Sequence, residues 1–138
     1  MKRKLSSILL IEDDEATNFI SQMVIKRLDC AEHVHVSWNG ADALDYLKNC
    51  VQPSCSLQPD LILLDINMPG LNGWEFLDEY QKLQAAGKED TVVVMLTTSL
   101  NPEDKNRATS NPSVTAFKNK PLTPSIMEEI LSQYFSRQ

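Results

Sequence analysis

Acidic side chains gather at two places where folding alone has no use for them. Leu61-Ile62-Leu63-Leu64 runs directly into Asp65, and the apolar run from Leu5 to Ile11 ends in Glu12-Asp13-Asp14. Further on, Met95-Leu96 leads into Thr97 and Thr98, and Phe117 is followed closely by Lys120 and Pro121. Carboxylates crowded together repel, so either one is protonated or a hard cation sits among them. Mg2+ fits such a set: it takes a few carboxylate oxygens, keeps waters and leaves positions for phosphate oxygens. An ammonium from Lys120 and a threonine hydroxyl would complete a cradle for a phosphoryl group. Each residue has a plainer reading by itself. Asp starts turns after strands, threonine favours strands, and lysine is an ordinary surface residue. Only their convergence would give them chemistry.

Convergence requires a particular set of elements. The four aliphatic residues before Asp65, bounded by Pro59 and Pro69-Gly70, read as a strand buried on both faces. Asp65 then stands at its carboxyl end, where open α/β sheets place ligands. Leu5 to Ile11 reads as another strand, followed by a helix over Glu15 to Leu28 with Ala16, Phe19, Ile20, Met23, Val24 and Leu28 on one apolar face. His33-Val34-His35-Val36 alternates like an edge strand, Asn39-Gly40 breaks the chain, and Ala43, Leu44 and Leu47 mark a short helix ending near Asn49. Cys50 to Pro59 has no period and reads as a surface loop longer than usual.

After the turn Pro69 to Gly73, a helix carries Trp74, Phe76, Leu77, Tyr80 and Leu83 and fades at Ala85 to Gly87. Thr91 to Thr98 is β-branched and reads as a buried strand. Asn101-Pro102 opens a helix that ends by Asn111-Pro112. Val114 to Phe117 is the fifth strand, and Thr123-Pro124 caps a last helix that packs Ile126, Met127, Ile130, Leu131, Tyr134 and Phe135 inward. A βα unit repeated five times predicts an α/β fold, a doubly wound parallel sheet forming one domain over residues 1–138. In such a sheet every strand's carboxyl end lies on one rim. Trp38 and Trp74 read as packing residues.

The totals agree. A chain of 138 residues, 42% hydrophobic and 23% charged, can bury a single core. A net charge of −6 without a basic stripe argues against direct nucleic-acid binding. No apolar segment is long enough for a signal peptide or membrane insertion, which predicts a cytoplasmic protein. Cys30, Cys50 and Cys55 read as reduced thiols, and His33 and His35 as strand residues rather than ligands.

Four pieces in order, Ile11-Glu12-Asp13-Asp14, Leu63-Leu64-Asp65-Ile66-Asn67-Met68-Pro69-Gly70-Leu71-Asn72-Gly73, Met95-Leu96-Thr97-Thr98-Ser99 and Phe117-Lys118-Asn119-Lys120-Pro121, resemble the receiver domain of two-component response regulators. The chain is similar to stand-alone, CheY-like members over nearly its whole length. The resemblance implies a flavodoxin-like fold of five βα units with strand order 2-1-3-4-5. It implies that Asp65 accepts phosphate from a sensor histidine kinase or a histidine phosphotransfer protein. Asp13 would bind Mg2+ directly, Glu12 through water, and the Asn67 backbone carbonyl would be a further ligand. Lys120, before a cis proline, would pair with the phosphoryl oxygens. Thr97 would be the switch hydroxyl, and Phe117 the aromatic ring that rotates with it.

Output would be a shifted surface of the fourth helix, fifth strand and fifth helix, read by an unknown protein target, with the chain a monomer or a phosphorylation-dependent dimer. Catalysis would be limited to self-directed phosphotransfer and autodephosphorylation. Thr98 stands where the family often has a smaller residue, and Phe117 where many relatives have tyrosine. Two rivals remain. A haloacid-dehalogenase-like phosphatase also forms an aspartyl phosphate, but its nucleophile follows the first strand with a second Asp two residues later, whereas Asn67 holds that place here. A degenerate receiver would act as a phosphorylation-independent binding module, against which the intact set Glu12, Asp13, Asp65, Thr97 and Lys120 argues.

Overall fold

A computed structural model describes residues 5–50, 59–65, 73–86, 91–97, 102–111, 114–119 and 122–135. Strands and helices alternate along the chain: β1 (Leu5–Ile11), α1 (Glu15–Leu28), β2 (Ala31–Ser37), α2 (Gly40–Cys50), β3 (Leu61–Asp65), α3 (Gly73–Ala86), β4 (Val92–Thr97), α4 (Pro102–Ser110), β5 (Ala116–Asn119) and α5 (Pro124–Tyr134). The five strands form one parallel sheet in the order β2-β1-β3-β4-β5. The flavodoxin-like fold expected from the sequence is the one observed.

The alternation of side chains along each strand sorts the aliphatic residues into two cores. Leu9, Ile11, Ile62, Leu64, Val93 and Met95 pack with residues of α2, α3 and α4, Phe76 and Leu77 among them. Ile8, Leu10, Leu61, Leu63, Val94 and Leu96 point the other way and meet Val24 and Ile25 of α1 and Met127, Ile130 and Leu131 of α5. Both faces of β1, β3 and β4 are therefore covered, which is why these strands read as continuous apolar runs. β2 lies at an edge, with residues 32–35 exposed.

Helix ends follow local rules. Asp14 caps α1 by accepting the Thr17 N–H at 2.8 Å, and Thr123 caps α5 by accepting the Ile126 N–H at 3.1 Å. The chain breaks between β2 and α2 where Asn39-Gly40 indicates; Asn39 Oδ1 accepts the Asp42 N–H at 2.8 Å and Gly40 opens α2. β5 begins two residues later than expected, because the Val114 N–H is taken up in a turn onto the Asn111 carbonyl at 3.0 Å.

The largest departure is in α1. Phe19, Ile20 and Met23, expected in the core, are 65%, 42% and 54% exposed. The helix buries Val24 of that face together with Asn18, Ser21 and Ile25. Trp38 and Tyr134 are likewise exposed rather than packed inward. Residues 51–58 of the expected loop, Asn67, Thr98, Lys120 and Pro121 lie outside the described residues, as does the side chain of Thr97.

The reversed face of α1 has a measurable consequence. Phe19→Ala should change the unfolding free energy by less than about 0.5 kcal/mol, whereas Ile25→Ala should lower it by about 2–5 kcal/mol. Urea titrations of the two variants check both values.

Candidate functional site

Register builds the site. Ile11 of β1 lies opposite Leu64 of β3, so one residue further along the same strands Glu12 comes beside Asp65. Neighbouring strands run about 4.8 Å apart, and both residues continue the alternation that points Leu10 and Leu63 to the α1 and α5 side. The outcome is a cluster in which Glu12, Asp13 and Asp65 each bring a carboxylate oxygen within 4.8 Å of the others. Glu12 and Asp65 are buried, at 6% and 5% exposure, while Asp13 is open to solvent. The acids sit between β1 and β3, where the strand order reverses and doubly wound sheets open a crevice.

Glu12 is held on three sides. Its N–H donates to the Ser37 carbonyl at 3.1 Å, tying the end of β1 to the end of β2. Its carbonyl accepts the side-chain N–H of Asn18 at 2.9 Å. Its own carboxylate oxygen Oε2 accepts the Asp14 N–H at 3.1 Å. The Asp14 carboxylate is turned away to cap α1, receiving both the N–H and the hydroxyl of Thr17. Of the three consecutive acids, Glu12 and Asp13 face Asp65 and Asp14 starts the helix, as the sequence indicates.

All donors in the cluster are oxygens, the ligand type that hard divalent cations select. Two buried carboxylates and one exposed one leave an approach from solvent. The amino end of α1 adds its partial positive charge beside them. A divalent cation there would offset the repulsion among the three carboxylates.

Other expected members of the site are placed in part. Thr97 ends β4 and pairs in register with Asn119 of β5, on the same rim as Asp65. Phe117 lies opposite Met95 and is half-buried against the core on the α2, α3 and α4 side. Asn18 was not singled out by sequence reasoning, because a helical asparagine among apolar residues carries no motif. Its only signal is its spacing from Ser21 and Ile25 on one stripe of α1.

A doubly wound parallel sheet with an acidic crevice at its topological switch defines the broad class, an α/β domain of the kind that places ligand sites at its carboxyl rim. Within that class, residues 8–132 match the response regulator receiver domain, and the chain belongs to this family of two-component signalling domains. It is 34% identical over 116 residues to the probable methanogenesis regulatory protein FilR2 of Methanothrix harundinacea, covering 84% of this chain and 72% of that one. A two component response regulator from Cytophaga hutchinsonii superposes with a TM-score of 0.87 at 31% identity, covering 96% of this chain and 98% of that one. Response regulator Rcp1 of Synechocystis is 35% identical over 97 residues, covering 70% of this chain and 65% of that protein. The Mn2+-bound form of Rcp1 superposes with a TM-score of 0.72 at 27% identity, covering 96% of each chain. The chain spans from 15% to 72% of the length of four curated relatives that it matches. Among the described residues, no helix is long and apolar enough to cross a membrane.

Crowding of the acids predicts a gain on neutralising one of them. At this separation each like-charge contact costs about 1 kcal/mol even in a water-like dielectric. Asp13→Asn should therefore raise the melting midpoint of the metal-free protein by about 3 °C. Added Mg2+ should erase the difference, as calorimetric scans with and without the ion would show.

Proposed function

We propose that this receiver domain takes a phosphoryl group on Asp65 from a phosphohistidine of a sensor histidine kinase or histidine phosphotransfer protein, with Mg2+ held by Glu12, Asp13 and Asp65. The observation that carries this reading is the meeting of those three carboxylates at the carboxyl ends of β1 and β3. The Mn2+-bound structure of the relative Rcp1 supports a divalent cation in this family. Asp13, the exposed member, would ligate directly, Glu12 through water, and the Asn67 carbonyl would add a further oxygen. Bound there, Mg2+ would supply charge neutralisation and a template for phosphate oxygens.

Asp65 performs the covalent step. One carboxylate oxygen forms a bond to phosphorus as the phosphorus–nitrogen bond of the donor breaks, and the imidazole nitrogen leaves with the electron pair. Lys120 pairs with the phosphoryl oxygens, and Thr97 donates its hydroxyl to the product. Catalysis is confined to the domain's own phosphorylation and dephosphorylation.

The acyl phosphate adds nearly two negative charges at one point, which biases the domain between two surfaces. α4 is suited to shift. Ala108 is the one buried residue among its described side chains. The Arg107 guanidinium lies 4.4 Å from the centre of the Trp74 ring, and Gln81 donates to Asn111 Oδ1 at 3.1 Å just beyond the helix end. A helix with a single buried residue among its described side chains moves at low cost. A downstream protein would read α4, β5 and α5. The donor protein would meet the exposed Phe19, Ile20 and Met23 of α1 and the adjoining cleft of about 510 Å³ that reaches Pro124.

With Mg2+ and acetyl phosphate, the unsubstituted protein should gain one base-labile phosphoryl group by mass spectrometry. Asp65→Asn, or removal of the ion with EDTA, should abolish the gain. Uptake by Asp65→Asn would refute the assignment, no uptake by the parent would point to a degenerate receiver, and turnover of small phosphoesters to a phosphatase. In a Trp38→Phe background, Arg107→Ala should red-shift the Trp74 emission and cost about 0.5–1 kcal/mol of stability, measured by fluorescence-detected urea unfolding.

A further inference from the structure

Asn18 lies on the inner stripe of α1 at 2% exposure, a poor place for an amide in the middle of a helix. Its nitrogen donates to the Glu12 carbonyl at 2.9 Å across the turn that joins β1 to α1. A carbonyl oxygen only accepts, so the amide orientation is fixed by this bond. The other half of the amide, Oδ1, is fully buried with no hydrogen-bond partner. An unpaired buried oxygen weakens a fold, and an aliphatic side chain of similar shape would avoid that loss. What an aliphatic side chain cannot supply is the grip on the Glu12 carbonyl.

That grip acts where the acids leave the sheet. Glu12 and Asp13 project from the main chain on either side of the gripped carbonyl, and the Asp14 N–H, one peptide further on, returns to the Glu12 carboxylate at 3.1 Å. The Glu12 N–H is fixed to Ser37 on the opposite side at 3.1 Å. We infer that Asn18 is a positioning residue for the metal centre: by clamping the Glu12 carbonyl it fixes the main chain from which Glu12 and Asp13 face Asp65, and so sets cation affinity without touching the cation. The inference rests on the metal reading proposed above and adds to it a residue outside the acid cluster.

The test uses Mn2+ alone as probe, followed by the paramagnetic resonance signal of the free ion, with Asn18→Ala and the near-isosteric Asn18→Leu. Each variant should bind Mn2+ about five-fold more weakly, the factor one neutral hydrogen bond is worth. In the metal-free proteins the Glu12 and Asp14 amides should exchange with deuterium about five-fold faster, by the same reasoning. Asn18→Leu also removes the unpaired oxygen, so its urea midpoint should match or exceed that of the parent, which keeps the test intact if Asn18→Ala folds poorly. Ile25→Ala, about two turns along the same helix, should lose stability while leaving both readouts unchanged. Unchanged Mn2+ affinity in a folded Asn18 variant overturns this inference alone, as does an equal weakening by Ile25→Ala. Absence of saturable Mn2+ binding in the parent overturns the metal reading and this inference with it.

Discussion

Two buried carboxylates on neighbouring strands are a standing electrostatic load, and much of this molecule is arranged around carrying it. Glu12 and Asp65 are brought together by the register of β1 against β3, the same register that packs Ile11 beside Leu64. A slip of one residue would point the aliphatic side chains of β1 at the wrong core. Apolar burial on both faces of the sheet therefore fixes the pairing of the acids, and the acids cannot relieve their repulsion by sliding apart. Relief comes from groups brought to them, the Asp14 N–H and the amino end of α1 among them, and a cation able to use oxygen donors would add to it.

α1 has two tasks on two sides. Its inner stripe is unusually polar for a helix that covers a sheet, with Asn18 and Ser21 buried ahead of Val24 and Ile25. The polar half lies nearest the acids and the apolar half farther along, so the helix is anchored by packing at one end and by hydrogen bonding to the rim at the other. The outer stripe carries Phe19, Ile20 and Met23 to the surface. The helix that touches the site thus also presents an apolar surface to solvent.

The sheet and rim were legible because their signals are strong and redundant. Strands covered on both faces must be apolar throughout, so Leu61 to Leu64 could hardly be anything else, and parallel topology then sends Asp65 and Glu12 to one edge whatever the register. α1 was misread because both its stripes contain apolar residues at helical spacing; periodicity detects a helix and does not say which stripe faces the sheet. The actual choice depends on the crossover from β1, where the Asp14 cap fixes the first turn and rotates Asn18 inward. Asn39-Gly40 did mark the break between β2 and α2, and what it did not announce is that the Asn39 side chain satisfies the Asp42 N–H and starts the helix. Asn18 itself was invisible, since its role is a contact with a main-chain carbonyl six residues back and depends on no side-chain partner that a motif could record.

A site of this kind has to draw its stability from elsewhere. Ile8 to Ile11, Leu61 to Leu64 and Val93 to Leu96 are almost wholly buried, and each large aliphatic side chain taken out of water contributes about 1.5–3 kcal/mol. The runs of β1 and β3 end where the acids begin, so the stabilising and destabilising parts of the molecule lie next to each other along the strand axis. Such a division keeps the charged rim apart from the apolar sheet that frames it. On the side of the sheet that carries Phe117, α4 stands next to β5 with Ala108 turned inside and Arg107 laid across Trp74.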